Sequence, residues 1–170
     1  LLCLVLVDIN DEPLSERRLR VLEQLEPADP VRAHRAQYGG NENEVDNVGS
    51  LTETFASVEL ESKQERWHGV PLRLITGKNL DEKRSYVEVT YRDGSVDTFE
   101  EGKTPVSGPL KDAYERVLVE AIAGRKAIFV TGPEVLRAWE ILAPVQEAWS
   151  MDDAPLVKYA PGSSHHDLLS

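Results

Sequence analysis

Three cations bracket one short polar turn: Lys78 directly after Gly77, then Lys83 and Arg84 beyond Asn79-Leu80-Asp81-Glu82. Ammonium and guanidinium groups that converge to within about 3 Å of the same oxygens hold a phosphate, and a glycine beside them lets the backbone approach the anion. Asp81 and Glu82 sit inside the same turn and offer the opposite outcome, in which they absorb the lysine charges in surface ion pairs. Residue types alone leave both outcomes open. His68, between Trp67 and Gly69, is either a general base or a capping or turn residue. His34, near Arg32 and Arg35, reads equally as a surface residue or a ligand contact, and the Arg35-Gln37-Tyr38 group as polar packing or the edge of a cleft. His165-His166-Asp167 has ligand-type side chains, but in consecutive positions that point apart, so a solvated tail is expected there and no metal site. The chain has no Gly-x-Gly-x-x-Gly, Walker loop, Gly-x-Ser-x-Gly or His-Glu-x-x-His. Local sequence therefore names no nucleophile and no cofactor cradle.

The elements that must position the lysine turn follow from periodicity and turn residues. A strand over 71–75 ends just ahead of Gly77 and would deliver the cations to a strand end. Upstream, Ser15 caps a helix over 15–25 with Leu19, Leu22 and Leu25 as its buried stripe, ended by Pro27 and Pro30. A basic, partly apolar segment over 31–38 and a polar loop over 39–50 precede a strand over 52–60, whose drier face is expected to hold Thr54, Ala56, Val58 and Leu60. Strands over 85–91 and 96–99 flank Arg92-Asp93-Gly94-Ser95, a hairpin signal because Asp-Gly supplies positive φ.

Beyond a loop over 100–109, a helix over 112–123 has an apolar face containing Ala113, Val117 and Ile122, with Gly124 placed to end it. The last helix starts at Pro133 and runs through Leu136, Trp139 and Leu142, with a kink or break expected at Pro144. The three tryptophans, Trp67, Trp139 and Trp149, read as core or interface anchors. The stretch 150–170, with Pro155, Pro161 and Gly162, reads as an extended, weakly ordered tail.

At 170 residues the chain has the length of one domain with a single core. A net charge of −11 argues against nucleic-acid or anionic-membrane partners, because a phosphate-binding surface needs a cationic face. A single cysteine, Cys3, excludes an internal disulfide and a cysteine-cluster metal site, which makes the cytoplasm the natural compartment. The apolar run from Leu1 to Val7 is far short of the roughly 20 residues of a membrane span and lacks the flanks of a signal peptide. A chain that opens inside an apolar run without Met reads as one cut from something longer.

Six blocks in order then extend beyond the lysine turn: Arg35-Ala36-Gln37-Tyr38-Gly39, Thr52-Glu53-Thr54-Phe55-Ala56, Glu65-Arg66-Trp67-His68-Gly69-Val70-Pro71, Thr76-Gly77-Lys78, Asp112-Ala113-Tyr114-Glu115-Arg116, and the helix from Glu134 to Trp139. Pro161-Gly162-Ser163 closes the series. Together they resemble the C-terminal domain of the glucose-6-phosphate dehydrogenase family. The resemblance implies an α+β domain, with helices packed on one face of a reduced, mainly antiparallel sheet. It implies that Lys78 and Lys83 contact glucose 6-phosphate, the substrate that the family oxidises at C1 to the lactone with NADP or NAD. Arg84 matches a position that in some members helps hold a second, structural nucleotide.

The departures from the family pattern carry expectations of their own. The family usually has Arg two residues before the glycine of its Thr-Gly-Lys block; Ile75 stands there, which counts against a second nucleotide at Arg84. Between Asp93 and Asp112 the chain is shorter than the family pattern, so several strands of the large sheet should be absent. That sheet commonly forms the family's dimer surface, which leaves homodimerisation open. In the family the dinucleotide fingerprint, a second substrate motif and the base histidine all precede this domain. The base is therefore expected just upstream of Leu1, no catalytic residue is expected in these 170 residues, and the chain alone is expected to be inactive. The rival expectation is a shortened, non-catalytic paralogue that acts as an interaction or regulatory module.

Overall fold

The computed structural model describes residues 13–100, 113–152 and 156–169. The apolar run at 1–7 lies outside the described residues, as does nearly all of the loop expected over 100–109. The strand expected over 52–60 forms as β2, Phe55–Leu60, at the inside of a four-stranded sheet. Its neighbours are β1, Ala33–Tyr38, and β3, Leu72–Gly77, both antiparallel to it. The fourth strand, β6, Val157–Tyr159, runs parallel to β1 on the far side and gives the order β3-β2-β1-β6. Because β2 is interior, Phe55 and Ser57 are buried as well as Val58 and Leu60, so the expected alternation of one dry and one wet face does not hold. Most of β3 is exposed, as befits an edge. A separate two-stranded ribbon pairs β4, Tyr86–Thr90, with β5, Val96–Glu100. Its turn has Gly94 at φ 84°, and Asp93 Oδ1 accepts from the Ser95 amide at 2.9 Å and from its hydroxyl at 2.6 Å.

Four helices accompany these strands among the described residues: α1, Leu14–Glu23; a single turn, α2, Asn41–Glu44; α3, Ala113–Ile122; and α4, Gly132–Ser150. The α+β class expected from the resemblance is the class observed. The described residues pack as two compact units, one formed by 13–23, 84–100 and 113–137 and the other by 24–83, 138–152 and 156–169. The second unit holds the four-stranded sheet and the lysine turn.

Other expectations fail for identifiable reasons. Of the expected leucine stripe, Leu25 is buried just beyond the end of α1, while Leu19 and Leu22 are half-buried; the buried residues within α1 are Val21 and Arg18, which has a buried carboxylate to meet. The apolar spacing in α4 also misleads: Leu136 and Trp139 are exposed, while Ile141 and Val145, one turn apart, are each 2% exposed. Helix α4 runs through Pro144 without a break, held across that point by those same two buried side chains. The expected weakly ordered tail contains β6 instead, and Tyr159 within it is 4% exposed. Most of α3 is solvent-exposed, with Tyr114, Leu118 and Ile122 all open, against the buried face expected from its pattern.

Candidate functional site

The lysine turn begins where β3 ends. Gly77 lies opposite Phe55 in the β2–β3 register, and a side chain at 77 would have its Cβ 2.8 Å from Leu80 Cδ1 and 3.0 Å from Phe55 Cδ2. The glycine is thus required for Leu80 to fold back over the sheet end, where it packs against the buried group Ala36, Tyr38, Phe55 and Tyr159. Gly77→Ala is expected to cost about 1 kcal/mol, the low end for overpacking because Leu80 can swing aside. Thermal unfolding of the variant checks this, and an unchanged midpoint would contradict the packing described.

From that base the chain turns through Asn79 at φ 53°, a left-handed conformation that asparagine tolerates better than most residues. Lys78 and Lys83 are both exposed, and neither ammonium group has an ion-pair partner among the described residues. Asp81 does not absorb their charge; its Oδ1 accepts the Glu82 amide at 3.0 Å. Lys78 also lines a shallow depression of about 240 Å³ along the paired ends of β2 and β3, together with Glu53, Thr54, Thr76 and Gly77. Of the two outcomes left open by residue types, the arrangement favours cations available to an anion.

Arg84 is placed differently. Its guanidinium donates to Glu100 Oε1 at 2.9 Å and lies over the Tyr86 ring at 4.2 Å, so it is engaged within the β4–β5 ribbon. His68 is exposed, and its backbone caps the short helical turn Glu65–Trp67. His34 is an exposed residue of β1. The His165 and His166 rings lie 4.0 Å apart rather than diverging, and no group of three or more metal-ligating side chains occurs among the described residues.

The Arg35-Gln37-Tyr38 group is packing. Gln37 is fully buried and donates through Nε2 to the carbonyls of Ser50 at 3.0 Å and Thr52 at 2.8 Å, while its Oε1 accepts from the Lys158 ammonium. Lys158 also donates to Glu42 at 2.6 Å; that hydrogen bond, with one from the Gly49 amide, holds the Glu42 carboxyl below its ordinary range. Arg35 reaches the end of α4, donating to the Asp152 carbonyl at 3.1 Å and lying over Trp149. A cation beyond a helix C-terminus is favoured by the helix dipole.

The residues that hold the lysine turn were not visible in the sequence. They are Thr54, whose carbonyl accepts the Lys78 amide at 2.8 Å, and the segment from Tyr159 to Ser163. Only the closing Pro161-Gly162-Ser163 block singled out any part of that segment, and no local pattern announces pairing with residues some 80 positions earlier.

Comparison with known proteins follows the same lines. The sequence model of the family described as "Glucose-6-phosphate dehydrogenase, C-terminal domain" matches residues 2–108 and 101–168. A glucose-6-phosphate 1-dehydrogenase of Dickeya dadantii is 27% identical, with 92% of this chain and 44% of the relative covered. Among solved structures, the glucose-6-phosphate 1-dehydrogenase of Mycobacterium avium superposes with a TM-score of 0.72 at 21% identity over 95% of this chain and 44% of that one. A glucose-6-phosphate dehydrogenase in complex with its substrate glucose-6-phosphate gives 0.71 at 20% identity over 99% and 46%. At these identities the structural likeness speaks for the fold. The chain spans under half the length of each of these relatives. With a family match that takes in nearly every residue from 2 to 168, this chain belongs to the glucose-6-phosphate dehydrogenase C-terminal domain family.

Proposed function

We propose that this chain is the substrate-contacting part of an oxidoreductase that oxidises glucose 6-phosphate at C1 to 6-phosphogluconolactone, with NADP or NAD as hydride acceptor. The observation that carries the reading is the lysine turn: two exposed ammonium groups, Lys78 and Lys83, without ion-pair partners among the described residues, on a backbone tied to the sheet. In a member of this family, a sugar phosphate is the anion such a pair would receive. Charge-assisted hydrogen bonds from the lysines to the substrate would orient it.

The residues described here do not make a nicotinamide cradle. They contain no glycine-rich turn between a strand and a helix N-terminus, and Arg84, the candidate contact for a second nucleotide, is held by Glu100 and Tyr86. The hydride acceptor and the general base therefore belong, in this proposal, to a dinucleotide-binding domain of the same protein. The 170 residues alone would bind and orient without turning over. Placement in the oxidative pentose phosphate pathway of the cytoplasm completes the reading. No helix among the described residues is long and apolar enough to cross a membrane.

Lys78→Ala in the complete protein is expected to raise KM for glucose 6-phosphate about 10- to 100-fold, the loss of one charge-assisted hydrogen bond. Steady-state kinetics checks it; an unchanged KM would remove Lys78 from the site.

A further inference from the structure

The lysine turn is tied to one C-terminal segment residue by residue. The Lys78 carbonyl accepts the Tyr159 hydroxyl at 2.6 Å, and the Asn79 carbonyl accepts the Gly162 amide at 2.7 Å. Leu80 forms a parallel bridge with Ser163, whose carbonyl accepts the Asp81 amide at 3.1 Å. These bonds hold the left-handed Asn79 in place, a conformation that a free loop would leave.

The phenol is the centre of this arrangement. Its oxygen lies 2.6 Å from the Lys78 carbonyl, 3.1 Å from Thr54 Oγ1 and 3.2 Å from the Thr54 carbonyl. A phenol has one proton to donate. The short contact directs it to the Lys78 carbonyl, so the Thr54 hydroxyl must donate to the phenol oxygen, while Thr54 Oγ1 itself accepts the Tyr38 amide at 2.9 Å. The result is a directed chain from the Tyr38 amide through the Thr54 hydroxyl and the Tyr159 phenol to the Lys78 carbonyl. Ring packing does not need the oxygen: Tyr159 meets Tyr38 and Phe55 edge-on, each with centroids 6.2 Å away, through carbon that phenylalanine also has.

We propose that Tyr159 is a positioning residue for Lys78, its hydroxyl fixing the peptide from which the ammonium group reaches the sugar phosphate. This rests on the reading of Lys78 as a substrate contact. A lysine side chain loses much rotamer freedom when it binds, and a backbone already fixed at its root spares the ordering of the turn.

Tyr159→Phe in the complete protein is expected to raise KM for glucose 6-phosphate about threefold to fivefold, with kcat nearly unchanged, because ordering of the turn would then fall on the binding step. The decisive comparison is with Lys78→Ala. Without the ammonium group the fixed backbone has nothing to present, so the double variant should have the KM of Lys78→Ala alone. A double variant in which the two effects multiply, or a Tyr159→Phe enzyme with wild-type KM, overturns the proposal while leaving the role of Lys78 standing. An unchanged KM in Lys78→Ala sinks both. Should Tyr159→Phe fail to fold, the 13Cζ resonance of Tyr159 decides: it should move on titration of the wild-type protein with glucose 6-phosphate and stay still in Lys78→Ala. No movement in the wild type overturns the proposal.

Discussion

Glu134→Ala is expected to lower the free energy of unfolding by about 3–5 kcal/mol, the cost of leaving a buried charge without its partner. Glu134 is 4% exposed and receives Arg18 Nε on Oε1 at 2.6 Å. The same guanidinium donates to the carbonyls of Ala127 at 2.8 Å and Phe129 at 2.7 Å, so the alanine variant leaves a buried cation with carbonyls alone. Glu134 also closes the start of α4, accepting the Thr131 amide and hydroxyl on Oε2, each at 2.8 Å. The spacing Thr131-Gly132-Pro133-Glu134 is that of a capping box. Burial pushes the Glu134 carboxyl up, but the hydrogen bonds from Arg18 and Thr131 and the Arg18 charge outweigh it and hold the carboxyl below its ordinary range. A folded-state value below the unfolded one means that the contribution is fully present above the ordinary carboxylate range. It is lost as pH falls through the folded value. Urea unfolding at neutral pH measures the first effect. Glu134→Gln tests the second: it keeps the shape, removes the charge, and should flatten the fall in stability on acidification. Equal acid slopes in wild type and Glu134→Gln would show that the pair does not carry it.

Much of the frame is legible without coordinates. The β3 end, the Asp93-Gly94 hairpin, the start of α4 near Pro133 and the exposed lysines all follow from local residue chemistry, which acts over a few positions. What escapes is set by partners far along the chain. Arg18 is an ordinary surface residue by type and becomes buried because Glu134, 116 positions away, neutralises it. Gln37, which by type could be polar packing or the edge of a cleft, is fully enclosed because Lys158 and two loop carbonyls complete its hydrogen bonds. Tyr159 sits among prolines and glycines that signal a loose tail, yet β6 pairs with β1 in parallel, a pairing that no turn residue announces. The candidate site divides in the same way: the charges of Lys78 and Lys83 are legible, while the hydrogen bonds that hold their turn are not.

Phe55→Ala is expected to cost about 3–5 kcal/mol and to weaken the candidate site along with the fold. Phe55 is 1% exposed, on the interior strand, and its ring meets Tyr159 edge-on. Truncation removes a large buried apolar surface and leaves a cavity that a strand flanked on both sides by hydrogen-bonded neighbours cannot collapse to fill. Leu80 packs against the same cluster, so the floor of the lysine turn goes with the ring. Phe55→Leu keeps most of the volume and should cost only about 1 kcal/mol. Hydrogen exchange at the amides of β1, β2 and β3, with urea unfolding alongside, separates the two variants. The amide of Asp81, bonded to the Ser163 carbonyl, should lose protection in Phe55→Ala and keep it in Phe55→Leu. A Phe55→Ala protein with Asp81 still protected would detach the turn from this core and leave the Thr54 carbonyl and the Tyr159 to Ser163 segment as its anchors.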